Sequence, residues 1–158
     1  MSSAFFVTKN ADDKQQKVRY ARIDTPDQPN RFVSSIHIDP ANANHAWVSF
    51  SGYDAYTTAH GHVFEVTFNP ATGTATWTNL SHDIGDQPVT DLVRDDNTGT
   101  LYAGTDFGVL SLAAGATHWS VAGNDLPPVA VYGLTISSSS RALYAATHGR
   151  GAWKLTLP

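Results

Sequence analysis

The sequence predicts an all-β protein built from repeated small sheets of about four strands each, and three observations predict it. One phrase recurs three times: Val89–Thr105, Val131–Thr147 and, more loosely, Val33–Phe50, each an apolar run, a polar turn and a second apolar run. In these copies Val33, Val89 and Val131 align, as do Ile36, Leu92 and Leu134, and then Trp47, Tyr102 and Tyr144. Apolar and polar residues alternate with the period of two expected of strands, and no stretch carries the 3.6-residue apolar stripe of a helix. Repeats of this length, made of short strands joined by Gly, Asn and Asp turns, are the pattern of β-propeller blades.

The elements follow in order. Ala4–Thr8 is a short β-type run, Asn10–Gln16 a polar turn, and Lys17–Ile23 alternates as a strand. Thr25–Asn30 holds two prolines and reads as a loop, because proline brings no N–H to a ladder. The first full repeat places strands at 33–38, 45–50, 62–68 and 75–80, with an insertion at Ser51–Gly61 and a turn at Asn69–Gly73. The second places them at 89–94, 100–105, 108–112 and 117–122, and the third at 130–136, 142–147 and 151–157. Trp77 and Trp119 each stand 12 residues before the next repeat's valine and mark the fourth strand; Tyr20 stands 13 before Val33. One domain over 1–158 therefore divides into a partial blade at 4–24, blades at 33–80 and 89–122, and an incomplete blade at 130–157.

Three blade-equivalents are too few to close a ring, since propellers mostly need four or more. The expectation is a homodimer closing to a six-bladed ring, with Lys17–Ile23 of one copy completing the last sheet of the other, or a segment of a longer propeller.

Composition narrows the function. Charged residues make up 15% of the chain, the net charge is −4, and no basic run occurs, which argues against a nucleic-acid partner. There are no cysteines, so disulfides and thiolate metal sites are excluded. No apolar run approaches the roughly 18–20 residues of a membrane span. The seven histidines show no zinc-binding spacing and read as solvated loop residues, so neither a metal nor a cofactor is expected. Gly149–Gly151 precedes no helix and is not a phosphate loop.

Leu143–Leu155, reading Leu-Tyr-Ala-Ala-Thr-His-Gly-Arg-Gly-Ala-Trp-Lys-Leu, resembles the closing blade of bacterial sialidase-like propellers with BNR (Asp-box) repeats, and Leu101–Leu110 resembles an internal blade. Asn69–Trp77 is similar to a degraded Asp-box, with Asn69 in the place of Ser, no Asp, and one extra residue of spacing. The resemblance implies a secreted or extracellular bacterial binding or scaffold module, with any signal peptide absent from this chain. It implies a carbohydrate or protein ligand, with a sialidase-like or xyloglucanase-like glycoside hydrolase as the alternative. The arginine triad that sialidases use finds no match: Ile38 and Ile136 stand where Arg94 stands in the middle copy.

Propeller geometry puts the loops between second and third strands on one face with the loops joining successive blades. That face would carry the candidate ligand-binding residues Tyr53, Asp54, Tyr56, His60, His82, Asp83, Asp86, Asp106, His148 and Arg150. Tyrosine and histidine rings stack on sugar rings, and aspartates accept hydroxyl hydrogen bonds. Paired carboxylates also suit glycoside hydrolysis where their spacing permits, with Asp83, Asp86, Asp91 and Asp106 as members, although aspartate in Gly-rich loops mostly makes turns. The four tryptophans fall within strands and read as core between blades.

Overall fold

The computed structural model describes residues 4–54 and 59–158. β1 (Phe6–Val7) and β2 (Ala21–Arg22) pair as a two-residue ladder. β3 (Val33–Ile38), β4 (His45–Phe50), β5 (Val63–Asn69) and β6 (Thr74–Asn79) form a first four-stranded sheet in chain order. β7 (Val89–Asp95), β8 (Thr100–Thr105), β9 (Gly108–Leu112) and β10 (Ser120–Val121) form a second. β11 (Val131–Ser137), β12 (Ala142–Thr147) and β13 (Ala152–Thr156) form a third, three-stranded sheet. All pairings are antiparallel, so the protein is all-β with four antiparallel sheets. Among the described residues the one helical element is a 3-10 turn at Gln15–Lys17, and no helix is long and apolar enough to cross a membrane.

Two expected strands are shorter than their patterns imply. In 17–23 only Ala21–Arg22 pairs, because Lys17 donates its amide to the Lys14 carbonyl and Arg19 donates its own to Asn10 Oδ1 at 3.0 Å. In 117–122 only Ser120–Val121 pairs, because the Trp119 amide goes to Asp83 Oδ1 at 2.8 Å instead of to β9. Those side chains capture amides that a ladder would otherwise use.

The hairpin turns follow from asparagine and aspartate chemistry. Asp39 and Asn69 each accept the amide two residues on, from Ala41 and Ala71, both at 2.9 Å. Asp95 accepts from the Thr98 hydroxyl at 2.8 Å, and its carbonyl accepts the amide of Gly99, whose φ is +75°.

The repeat becomes an inter-sheet lock. Each sheet's first strand carries a register shift just after its valine, between Val33 and Ser35, Val89 and Asp91, and Val131 and Gly133. The bulged residue reaches the next sheet: the Ser34 hydroxyl donates to the Val89 carbonyl at 2.6 Å, and the Thr90 hydroxyl to the Val131 carbonyl. Asp91, a candidate acid in the sequence, accepts the Leu134 amide at 2.7 Å and belongs to this framework. First strands thus lie beside first strands: β3 by β7, and β7 by β11.

Strand alternation gives every sheet two unlike faces. The face toward the preceding sheet is mainly aliphatic: Ile36, Val48 and Phe64 in the first, Leu92, Ala103 and Leu110 in the second, and Leu134, Ala145 and Trp153 in the third. The opposite face centres on one aromatic among smaller or polar neighbours: Trp47 between His37 and Glu65, Tyr102 between Val93 and Ser111, and Tyr144 between Thr135 and Lys154. Trp47 and Val63 pack on Leu92, Leu101 and Leu112, while Tyr102 and Val109 pack on Leu134, Leu143 and Leu157. Phe5 and Ile23 of the N-terminal pair cover Val48, Phe50 and Phe64. Each fully buried member, such as Phe50 or Leu92, contributes about 1.5–3 kcal/mol of transfer free energy.

Trp77 and Trp119 occupy equivalent niches. The Trp77 indole donates to the Ile23 carbonyl at 2.8 Å and the Trp119 indole to the Leu80 carbonyl at 2.9 Å; each acceptor follows the outermost strand of the preceding sheet. Trp119 is buried, whereas Trp77 is half-buried because the short β1–β2 ladder covers it incompletely.

Candidate functional site

The described parts of the 51–61 insertion, 51–54 and 59–61, join β4 and β5, and the first of them reaches the second sheet through Tyr53. Their path is set from below by Arg31, whose side chain is 8% exposed. The guanidinium donates to the Gly52 carbonyl at 2.7 Å and to the Gly61 carbonyl, and pairs with Asp54 at 2.9 Å. Beside it His62 is fully buried, with Nδ1 3.3 Å from the Phe50 carbonyl and Nε2 3.4 Å from Asp86. Burial, then the neighbouring Arg31 charge, push the His62 pKa below its ordinary value and keep the ring neutral. Burial also lowers Arg31, with Asp54 and Asp86 opposing that shift.

Gly61 is obligatory in this arrangement. Its φ is +116°, and a Cβ there would stand 2.6 Å from Asn79 Nδ2 and 2.9 Å from Ser81 Oγ. The Ser81 hydroxyl in turn accepts the amides of His62 and Val63 at 2.7 and 3.1 Å.

Three loops close over this base. The Asp54 amide donates to Asp86 Oδ1 at 2.7 Å, tying the insertion to the loop that follows β6. The Tyr53 hydroxyl donates to Asp106 Oδ2 at 3.0 Å, tying it to the turn between β8 and β9. That bond leads the causes raising the Tyr53 pKa above its ordinary value. His60 Nδ1 lies 3.0 Å from Asp54 Oδ2. The rim so formed presents an exposed tyrosine face and partly exposed carboxylates on a fixed frame.

Asp54, His62 and Asp86 bring potential metal-ligand atoms within 4.8 Å of one another, a grouping that sequence spacing did not reveal. The Arg31 guanidinium already supplies the positive charge beside them.

Of the sequence candidates, Tyr53, Asp54, His60, Asp86 and Asp106 come together, and Tyr56 lies outside the described residues. Four stand elsewhere. Asp83 accepts the Trp119 amide and faces His118 Nδ1 at 3.2 Å; the amide bond leads the causes holding its pKa down. His82, at φ +43°, lines a cleft between the first two sheets with Trp47, Glu65 and Arg94. The His148 ring lies tilted against Tyr132, and Arg150 accepts the Trp153 indole N–H through its carbonyl at 3.2 Å.

The solvated-loop reading of the histidines fails at His62, which is wholly buried, and at His45. His45 sits between Asp39 Oδ2 at 2.9 Å and Glu65 Oε1 at 2.8 Å, its ring tilted against that of Trp47 with centroids 4.3 Å apart. The sequence reading missed Arg31 and His62. The signal lay in departures from the repeat: Gln87 and Val129 stand at the place of Arg31, and Gly108 and Gly151 at that of His62.

No protein-family model and no curated protein matches the chain. Solved structures do. Over 90% of its length the chain is similar to PorZ of Porphyromonas gingivalis, described as an essential bacterial surface component of the type-IX secretion system, with 16% identity and a TM-score of 0.64. Over 88% it is similar to the extracellular domain of a putative hybrid two-component system, BT4673, from B. thetaiotaomicron, with 19% identity and a TM-score of 0.59. These matches establish a shared fold. The chain spans 22% and 17% of the lengths of those two structures.

Proposed function

We propose that the chain is a glycan-binding module, built as blades of an Asp-box-type β-propeller and working outside the cell. The observation that carries this reading is the rim in which Tyr53, His60, Asp86 and Asp106, from three loops, converge over Arg31. An exposed tyrosine face suits the apolar face of a sugar ring, and carboxylates held in fixed positions accept hydroxyl hydrogen bonds in a chosen direction. Arg31 prearranges the loops, so little ordering entropy remains to be lost on binding. The sheet order and inter-sheet locking support the propeller reading, and the surface and extracellular descriptions of PorZ and BT4673 support the location.

A binding role is favoured over hydrolysis because the rim carboxylates are already engaged: Asp54 pairs with Arg31, Asp86 accepts the Asp54 amide and Asp106 accepts the Tyr53 hydroxyl, whereas a glycosidase needs one carboxyl group free to protonate the leaving oxygen. The test is a glycan array read with the wild type and Tyr53→Ala, alongside chromogenic glycosides. Retention on specific glycans, lost in the variant and without glycoside cleavage, is expected. Cleavage, or retention unaffected by the variant, contradicts the reading.

A further inference from the structure

Among the described residues, two sheet faces have no counterpart packed against them across their inner strands. On the first sheet Ile36 is 55% and Ile38 61% exposed, whereas the aligned Leu92 and Leu134 are 1% and 6% exposed beneath a preceding sheet. On the third sheet Tyr144 is 40% exposed, whereas the aligned Trp47 and Tyr102 are 5% and 6% exposed beneath a following sheet. Both open faces belong to the kinds that interlock twice within this chain, an aliphatic face against an aromatic-centred one. Beside Ile36 and Ile38 runs an apolar groove of about 200 Å³, bounded by Val7, Ala46, Val48 and Phe68.

We infer that these two faces dock on each other between two copies of this chain. The inference rests on the propeller reading above and names the occupant of the groove: the Tyr144 face of a second copy. The internal interfaces supply the template. Arg94, aligned with Ile38, lies 4.5 Å from the centre of the Trp47 ring, and Ile136, also aligned with Ile38, packs in the cluster that holds Tyr102. Tyr144 therefore seats on Ile38 of the second copy. Each copy offers both faces, so a two-fold pair satisfies both at once and closes without further growth.

Strand edges agree with this arrangement. β13 pairs only with β12, and β1 only with β2, among the described residues. β2 takes the outermost position in front of the first sheet, as the Trp77–Ile23 bond shows by its likeness to Trp119–Leu80. β1 and the incoming β13 then contend for the position inside it. β1 has two residues and β13 five, so β1 yields and β2 becomes the fourth strand of the mixed sheet.

The chain has no cysteine, which makes the contact directly testable. Single-cysteine variants Ile38→Cys and Tyr144→Cys, mixed and mildly oxidised, are expected to cross-link to each other in preference to either alone. Light scattering after size exclusion at micromolar concentration is expected to give twice the 17.0 kDa of the chain. Tyr144→Asp, at a position exposed in one copy, is expected to keep its circular dichroism and weaken pairing roughly thirtyfold or more, as loss of a central interface side chain does. A wild-type monomer with unchanged circular dichroism overturns the pairing, as does a dimer that survives both Tyr144→Asp and Ile38→Asp. Glycan retention is read on the array whatever the mass, so failure of the pairing is distinguished from failure of the binding reading.

Discussion

Replacing Trp119 with alanine probes the equivalence of the sheets. The side chain is 9% exposed, packs with Trp47, Val63 and Leu112, and donates to the Leu80 carbonyl at 2.9 Å. An indole buries roughly 150–250 Å², which at about 25 cal/mol per Å² comes to ~4–6 kcal/mol as an upper bound. The hydrogen bond adds about 1 kcal/mol, and partial relaxation of the site removes part of the total. The expected loss is about 4 kcal/mol, a large share of the roughly 5–15 kcal/mol that holds a domain together. Trp77→Ala, in the equivalent but half-buried niche, is expected to lose about half as much. Urea titrations followed by circular dichroism measure both. A Trp119→Ala loss below roughly 1 kcal/mol, or a larger loss for Trp77→Ala, would refute the equivalence.

Three further outcomes follow from the site and the framework. Gly61→Ala forces a Cβ against Asn79 and Ser81 at a positive φ, so it should cost at least about 1 kcal/mol in urea titration and abolish glycan retention together. Arg31→Met strands the Gly52 and Gly61 carbonyls and Asp54, with an expected loss of about 2–4 kcal/mol and changed amide chemical shifts at 52–54 and 61–62. Acid weakens the fold in two stages. His62, with its pKa lowered by folding, begins to cost stability as pH falls below about 6.5, because the unfolded chain takes the proton first. Asp95, held at about 2 chiefly by two 2.7 Å bonds from Arg141, contributes stability that is complete above its unfolded pKa and lost as pH falls from about 4 toward 2. The share of Asp95 in that second stage is about 1–2 kcal/mol, and Arg141→Ala should remove that share from a pH series of urea midpoints.

Architecture was legible in the sequence because it repeats. Val33, Val89 and Val131 open three first strands, and Trp77 and Trp119 fill matching niches, since identical packing problems select alike residues at like spacings. The strand ends at 17–20 and 117–119 were not legible, because Asn10 and Asp83 take amides from far along the chain. The site was half legible. Loop position placed Tyr53, Asp54, His60, Asp86 and Asp106 on one expected face, and the structure brings these five together, but the expected loop geometry could not separate them from Asp83, which caps Trp119, or from His82, which lines the cleft beside Trp47 and Arg94. Arg31 and His62 stand outside the repeat, and their meeting depends on a fold that brings residues 31, 54, 62 and 86 together.

The most direct test of the account is a map of amide chemical-shift changes on titrating the best glycan from the array into the wild-type protein. Binding at the rim is expected to gather changes at 52–54, 60–62, 84–87 and 105–107, over Arg31. Changes gathered instead around the Asn69–Gly73 turn, or in the cleft of His45, His82 and Arg94, would contradict it.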